Sequence, residues 1–187
     1  MPAIGQSKIM ILATDGFEQS ELEVPLIRLK DAGAEVHVVS LESGEITGWD
    51  KDDWGRAVPI DKVLADVSPA DYDALVLPGG QINPDLLRVE DKAVQFVKAF
   101  DQSDKPLAAI CHAPWLLIEA GLVQGRKATS YKSIKTDMIN AGARWEDTPM
   151  VRDGNLITSR NPGDLDAFCA AIIEAVEGGS AQRSAAE

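Results

Sequence analysis

Basic side chains are scarce in this sequence, with 18 lysines and arginines against 30 aspartates and glutamates, a formal net charge of −12 over 187 residues. No basic run is present that could release counterions from a phosphate backbone, which argues against nucleic acid as a partner. Cysteine and histidine are rarer still, at two each. Cys111 and Cys169 cannot build a disulfide framework, and with His37 and His112 they lack the spacing of a zinc site. No metal and no cofactor is expected. No apolar stretch approaches membrane-spanning length and nothing reads as a signal peptide, so no membrane partner is expected either. A reducing cytoplasm is the expected compartment.

What is present is enough apolar material, 45% of residues, for one sizeable core. A single domain over 1–177 with a flexible tail over 178–187 is expected. Short apolar runs alternate with helical patterns. Residues 8–13, 36–39 and 73–77 read as strands buried on both faces. Helices are expected after Phe17, with Pro25 delaying or kinking the first, over 91–101, over 134–141, and from an N-cap at Asp164. Residues 42–61 read as a hairpin or excursion, and Asp153-Gly154-Asn155 as the turn of a second hairpin. Strands alternating with helices through short connections imply an α/β fold, a mostly parallel sheet covered on both sides.

The stretch that carries chemistry is Leu107-Ala108-Ala109-Ile110-Cys111-His112-Ala113-Pro114. An apolar strand that stops at a potential nucleophile and turns at once into a helix is the nucleophile-elbow pattern. The helix end would direct free N–H groups at the thiol and favour the thiolate that attacks carbonyl carbon. The competing reading is a small buried hydrophobe, the common fate of a free cysteine. Ligands in such folds gather outside the carboxyl ends of the strands, where residues 15–18, Gly79-Gly80 and Cys111-His112 would converge. Glu18 is either a first-turn helix acid or a carboxyl reaching the thiol. His37, between valines, reads as an ordinary imidazole of core or surface.

The run Ala109-Ile110-Cys111-His112-Ala113-Pro114 resembles the A-I-C-H-G-P signature of the PfpI branch of the DJ-1/PfpI superfamily. Asp15-Gly16-Phe17-Glu18, Leu77-Pro78-Gly79-Gly80, Gly125-Arg126-Lys127, residues 137–142 and residues 158–162 follow the family order, so the similarity spans residues 8–176. The resemblance implies a flavodoxin-like three-layer sandwich and a cysteine-dependent hydrolase or lyase of stress metabolism. Its substrates would be small aldehydes such as glyoxal and methylglyoxal, or glycated groups. Cys111 would be the nucleophile and Glu18 the carboxyl hydrogen-bonded to it. His112 would assist, and Gly79, Gly80 and the His112 N–H would form an oxyanion pocket. Tyr131 matches a position near that pocket. Asp85, just after Pro84, matches an acidic residue that orients the histidine from a neighbouring subunit, which implies a homodimer or higher oligomer. Ala113 stands where the family carries glycine, so its backbone is either ordinary or strained. Trp115 replaces a polar residue and would narrow the pocket mouth. A peptidase, an isonitrile hydratase, and a redox sensor or chaperone that uses oxidation of Cys111 are the competing readings.

Overall fold

The computed structural model describes residues 3–184, with side chains to residue 178. Its chain order is β1 (Lys8–Leu12), α1 (Gln19–Asp31), β2 (Glu35–Ser40), β3 (Glu45–Asp50), β4 (Asp53–Pro59), β5 (Lys62–Val63) and β6 (Ala74–Leu77). Next come α2 (Ile82–Arg88), α3 (Asp91–Asp101), β7 (Leu107–Ile110), α4 (Pro114–Glu119) and β8 (Lys127–Ala128). The chain continues through α5 (Lys135–Asn140), β9 (Arg144–Trp145), β10 (Met150–Asp153), β11 (Leu156–Ser159) and α6 (Leu165–Ser184). Among the described residues the main sheet has seven strands in the order β10-β11-β7-β6-β1-β2-β5. Only β10 runs antiparallel, paired with β11 through the expected turn.

Alternation along the strands builds three layers. In β1, Ile9 and Ile11 face a cluster shared with Leu22 and Leu29 of α1 and Phe168, Ile172 and Val176 of α6. Met10 and Leu12 face the other, with Val97 and Phe100 of α3, Leu116 of α4 and Met138 of α5. Ile9 to Leu12 are thus buried whichever way they point, which is why such runs read as continuous apolar stretches.

Three details differ from the expectations. Helix α1 begins at Gln19 and continues past Pro25, so the proline does not delay its start, at the loss of the one hydrogen bond that a proline nitrogen cannot donate. Asp164 does not open the last helix with a cap. It closes a short 3-10 turn, Pro162–Asp164, whose N-cap is Asn161, and its carboxylate accepts from Arg160 at 2.8 and 3.0 Å. Helix α6 continues to Ser184, so the tail expected from residue 178 begins inside a helix, and residues 185–187 lie outside the described ones. The excursion over 42–61 is a separate antiparallel hairpin, β3–β4. It is tied to the carboxyl end of the sheet where the Trp49 N–H donates to Phe17 O at 2.7 Å.

Candidate active site

The strand β7 ends at Cys111, whose φ of +64° is a left-handed conformation that a non-glycine residue adopts at a cost of about 1–3 kcal/mol. Both its backbone groups are claimed by other segments. The N–H donates to Ser159 O at 3.0 Å, and the carbonyl accepts from the Tyr131 N–H at 2.8 Å. The strain therefore sits on the cysteine itself. Ala113, with φ −54° and ψ −29°, is ordinary helical backbone, which explains why glycine is dispensable there.

The carboxyl beside the thiol belongs to Glu21, not Glu18. Glu18 is the extended N-cap residue of α1, and its carboxylate accepts from the Ser20 hydroxyl at 3.0 Å on the wall of the cleft. Glu21 lies one turn on and is fully buried. Its Oε2 accepts the Gly79 N–H at 2.9 Å. Its Oε1 is buried with no hydrogen-bond partner of its own, so a proton carried there is available to the adjoining thiol. Desolvation, with a contribution from the charge of Glu18, pushes the Glu21 pKa from 4.5 to about 8. Glu21 therefore stays protonated at neutral pH.

Burial also pushes the Cys111 thiol up, and a charged Glu21 would push it further. The backbone N–H groups of Gly80 and His112 oppose this by hydrogen bonding to the sulfur. Two groups this close titrate as a pair, and while Glu21 keeps its proton its charge no longer holds the thiol up. The N–H groups of Gly80 and His112 thus converge on the sulfur, whereas that of Gly79, also expected in an oxyanion pocket, is taken by the Glu21 carboxyl.

Gly79 is fixed by space. A Cβ there would lie 2.5 Å from Glu21 Oε2, 2.6 Å from Cys111 Cβ and 2.7 Å from Ile110 O. Gly80, at φ +80°, passes equally close to the chain, with Gly16 O 2.3 Å from the position of a Cβ. Only glycine lets these loops meet.

The His112 ring is buried, and its Nδ1 lies 3.2 Å from Cys111 Sγ. Desolvation lowers its pKa to about 4, so it is neutral at physiological pH. Its other nitrogen, Nε2, is 2.9 Å from Ser133 Oγ. Tyr131 stacks on the ring at 4.7 Å, and Trp115 meets it edge-on at 5.2 Å. Trp115 does not narrow the cleft as expected: it packs behind the imidazole and donates from Nε1 to Asp137 at 2.8 Å. Asp85 is exposed on α2, away from the lining of the cleft. His37 sits at the opposite end of the sheet, 3.1 Å from the Tyr72 hydroxyl and 2.9 Å from Glu35.

The cleft has a volume of about 450 Å³, and Trp49, Lys51, Gln81, Ile82 and Pro162 join Glu18, Glu21, Cys111 and Tyr131 around it. Sequence reasoning missed Glu21, Ser133 and the hairpin residues. Glu21 had a readable signal, since it shares the helical stripe of Leu22, Pro25 and Leu29, all buried. Among the described residues no cluster could hold a metal ion, and no helix is long and apolar enough to cross a membrane.

A parallel sheet covered on both faces, with a strained cysteine at a strand end, defines an α/β protein of the elbow-cysteine class. The DJ-1/PfpI family model matches residues 7–175, and the chain belongs to that family. It is 46% identical over 167 residues to the Deglycase TK1284 of Thermococcus kodakarensis, covering 89% of this chain and 98% of that one. It is 44% identical over 162 residues to the Protein/nucleic acid deglycase 2 of Escherichia coli, covering 86% of this chain and 92% of that one. Among solved structures, a two-domain protein of Anabaena variabilis with DJ-1/ThiJ/PfpI-like and ferritin-like domains superposes with a TM-score of 0.86 at 38% identity. That match covers 90% of this chain, which spans about half, 48%, of the longer protein.

Proposed function

We propose that this protein is a cysteine-dependent deglycase or glyoxalase that acts on small dicarbonyls and on their adducts with amines and thiols. The observation that carries this reading is the placement of Cys111 Sγ between a protonated buried carboxyl, a neutral imidazole at 3.2 Å and two converging N–H groups. The deglycase names of two relatives support it.

The proton inventory suits an aldehyde. His112 Nδ1 takes the thiol proton as sulfur bonds to the aldehyde carbon, and the N–H groups of Gly80 and His112 hold the developing alkoxide. Glu21 gives its proton to that oxygen, which yields a hemithioacetal and a carboxylate. With a hemiaminal substrate, His112 takes the thiol proton, Glu21 protonates the departing amine nitrogen as sulfur displaces it, and the same hemithioacetal, carboxylate and imidazolium form. The Glu21 carboxylate then removes the C–H proton, and the proton held on His112 is delivered to the neighbouring carbonyl system, giving a thioester of a 2-hydroxy acid. Water attacks the thioester, the C–S bond breaks, and sulfur, Glu21 and His112 regain their starting protons. For methylglyoxal the sum is substrate plus water to lactate, with no external oxidant or reductant.

The test is a panel of methylglyoxal, methylglyoxal-treated peptide, casein and an isonitrile, each with a Cys111→Ala control. Turnover of the first two that disappears in the control is expected. Cleavage of casein alone would establish the peptidase reading instead. A homo-oligomer in which Asp85 serves a neighbouring site belongs to the same proposal, and Asp85→Ala mixed with Cys111→Ala tests it by recovery of activity.

A further inference from the structure

We propose, resting on the deglycase reading above, that Lys51 binds the carboxylate of a substrate's leaving group and so selects dicarbonyl adducts of free amino acids over adducts of uncharged amines. The cleft is large for the reacting carbonyl alone. Its volume of about 450 Å³ lies within the range of about 300–1,000 Å³ for sites that enclose drug-sized ligands, and methylglyoxal would fill only a small part of it. The leaving group of an adduct therefore has room beside Cys111, among the other residues of the lining.

Among the described residues that line the cleft, Lys51 is the single cation. It takes part in no ion pair of the described residues, although Asp50, Asp52 and Asp53 are its neighbours in sequence. Glu18, whose charge reaches Glu21, lies on the same lining. A cation and a carboxylate in one cleft match the carboxylate and the amine of an α-amino acid, each of which gains a charge-assisted hydrogen bond there. An adduct on a lysine side chain of a protein carries peptide groups in place of the α-carboxylate and gains nothing from Lys51.

The hairpin that carries Lys51 is fixed to the site. The Gly16 N–H donates to Thr47 O at 2.8 Å and the Trp49 N–H to Phe17 O at 2.7 Å, so β3 is stapled to the loop that leads into Glu18. The β3–β4 register slips between Thr47 and Trp49, the irregularity by which a strand re-aims a side chain, and Trp49 lines the cleft with Trp54 edge-on to it at 5.5 Å. Lys51 follows at the turn with φ +60°, and its carbonyl accepts the Trp49 indole N–H at 2.9 Å. A lysine held in left-handed backbone on an exposed turn is strained for no gain in packing, and strain of that kind gathers at ligand sites.

The experiment titrates full-length Cys111→Ala, in which no turnover competes with binding, with N-lactoylglycine and with N-lactoylglycinamide. The first is a stable isomer of the hemiaminal of methylglyoxal and glycine, and the second differs from it only at the carboxylate. The indole N–H resonance of Trp49, hydrogen-bonded to the Lys51 carbonyl, reports occupancy. The acid should bind roughly fivefold more tightly than the amide, the size of an ion pair at a solvent-facing rim, and the preference should shrink as salt is raised. Adding Lys51→Gln should bring the ratio to about one, Lys51→Arg should keep it, and Lys51→Glu should reverse it. Each ratio is taken within one protein, so a general loosening of the hairpin cancels. Equal affinities in Cys111→Ala, no binding of either ligand, or a ratio unchanged by Lys51→Gln overturns the proposal. A preference that stands in Cys111→Ala beside a wild-type protein inert toward methylglyoxal and its glycine adduct would remove the deglycase reading and keep the carboxylate subsite.

Discussion

The two cysteines are nearly equal in burial, Cys111 at 6% exposed and Cys169 at 1%, yet their surroundings have little else in common. Cys169 lies in the apolar stripe of α6, and burial alone accounts for most of the rise of its pKa to about 11. Cys111 is also pushed up by burial, but it sits on strained backbone with a carboxyl, an imidazole and two N–H groups turned toward it. Burial of a thiol therefore says little about reactivity. What separates the two sites is whether the neighbours can take a proton and receive a charge.

The largest expected contrast follows directly. Cys111→Ser should reduce aldehyde turnover by at least about a thousandfold, as loss of a nucleophile does. Cys169→Ala should cost stability and leave the rate per folded molecule within a fewfold. Equal losses of rate in both variants would remove the distinction between the two thiols.

The two glutamates sharpen the same comparison. Glu21→Gln should lower kcat on the order of a hundredfold or more, within the range for a general acid–base group, whereas Glu18→Gln should cost less than tenfold. The wild-type profile should be bell-shaped. It needs Glu21 protonated, below its pKa of about 8, and His112 neutral, above about 4. A rate that keeps climbing beyond pH 9 would show that the deprotonated pair is the reactive form and that Glu21 is not the acid.

Packing gives a further contrast. Gly79→Ala should destabilise by about 1–3 kcal/mol, because its Cβ meets backbone at Ile110 O as well as two site side chains. Gly121→Ala serves as the control. Its backbone is left-handed, with φ +72°, where that of Gly79 is not, and nothing lies within 4 Å of a Cβ there, so it should pay only the conformational cost. Urea midpoints of the two variants set crowding at Gly79 beside backbone strain at Gly121, and an unshifted midpoint in Gly79→Ala would show that its neighbours yield to the added methyl without cost.

Strand positions and the elbow were legible because each rests on local pattern. Residues 107–110 are apolar whichever face they meet, and the cysteine followed by proline marks the turn into α4. The choice between Glu18 and Glu21 was harder. They are three residues apart on one helix, and both face the region of the thiol. Assigning Glu18 rested on its place in the resemblance, whereas burial follows the phase of the helix relative to Leu22 and Leu29. Ser133 could not be read at all. It reaches His112 from 21 positions further along through a loop whose course depends on the Tyr131–Cys111 backbone hydrogen bond.

The smallest effect is one of stability against pH. Glu21 titrates near 4.5 in the unfolded chain and near 8 in the native protein, so its stabilising contribution is complete below 4.5 and is lost as pH rises to 8. The slope is about 1.4 kcal/mol per pH unit. His112 works in the opposite sense. Its pKa falls from 6.5 to about 4 on folding, so its contribution is complete above 6.5 and is lost as pH drops through 4. Between 4.5 and 6.5 the two slopes oppose each other, and the wild-type protein should show little dependence on pH from this pair. Above 6.5 only Glu21 remains, and about 2 kcal/mol should be lost by pH 8. In Glu21→Gln that loss should vanish, because the amide never ionises and can still accept the Gly79 N–H. Urea unfolding of both proteins at pH 6.5 and 8 measures the difference, in which every other titrating group cancels. Parallel losses in the two proteins would mean that Glu21 is already ionised in the folded state and has no proton to give to the substrate oxygen.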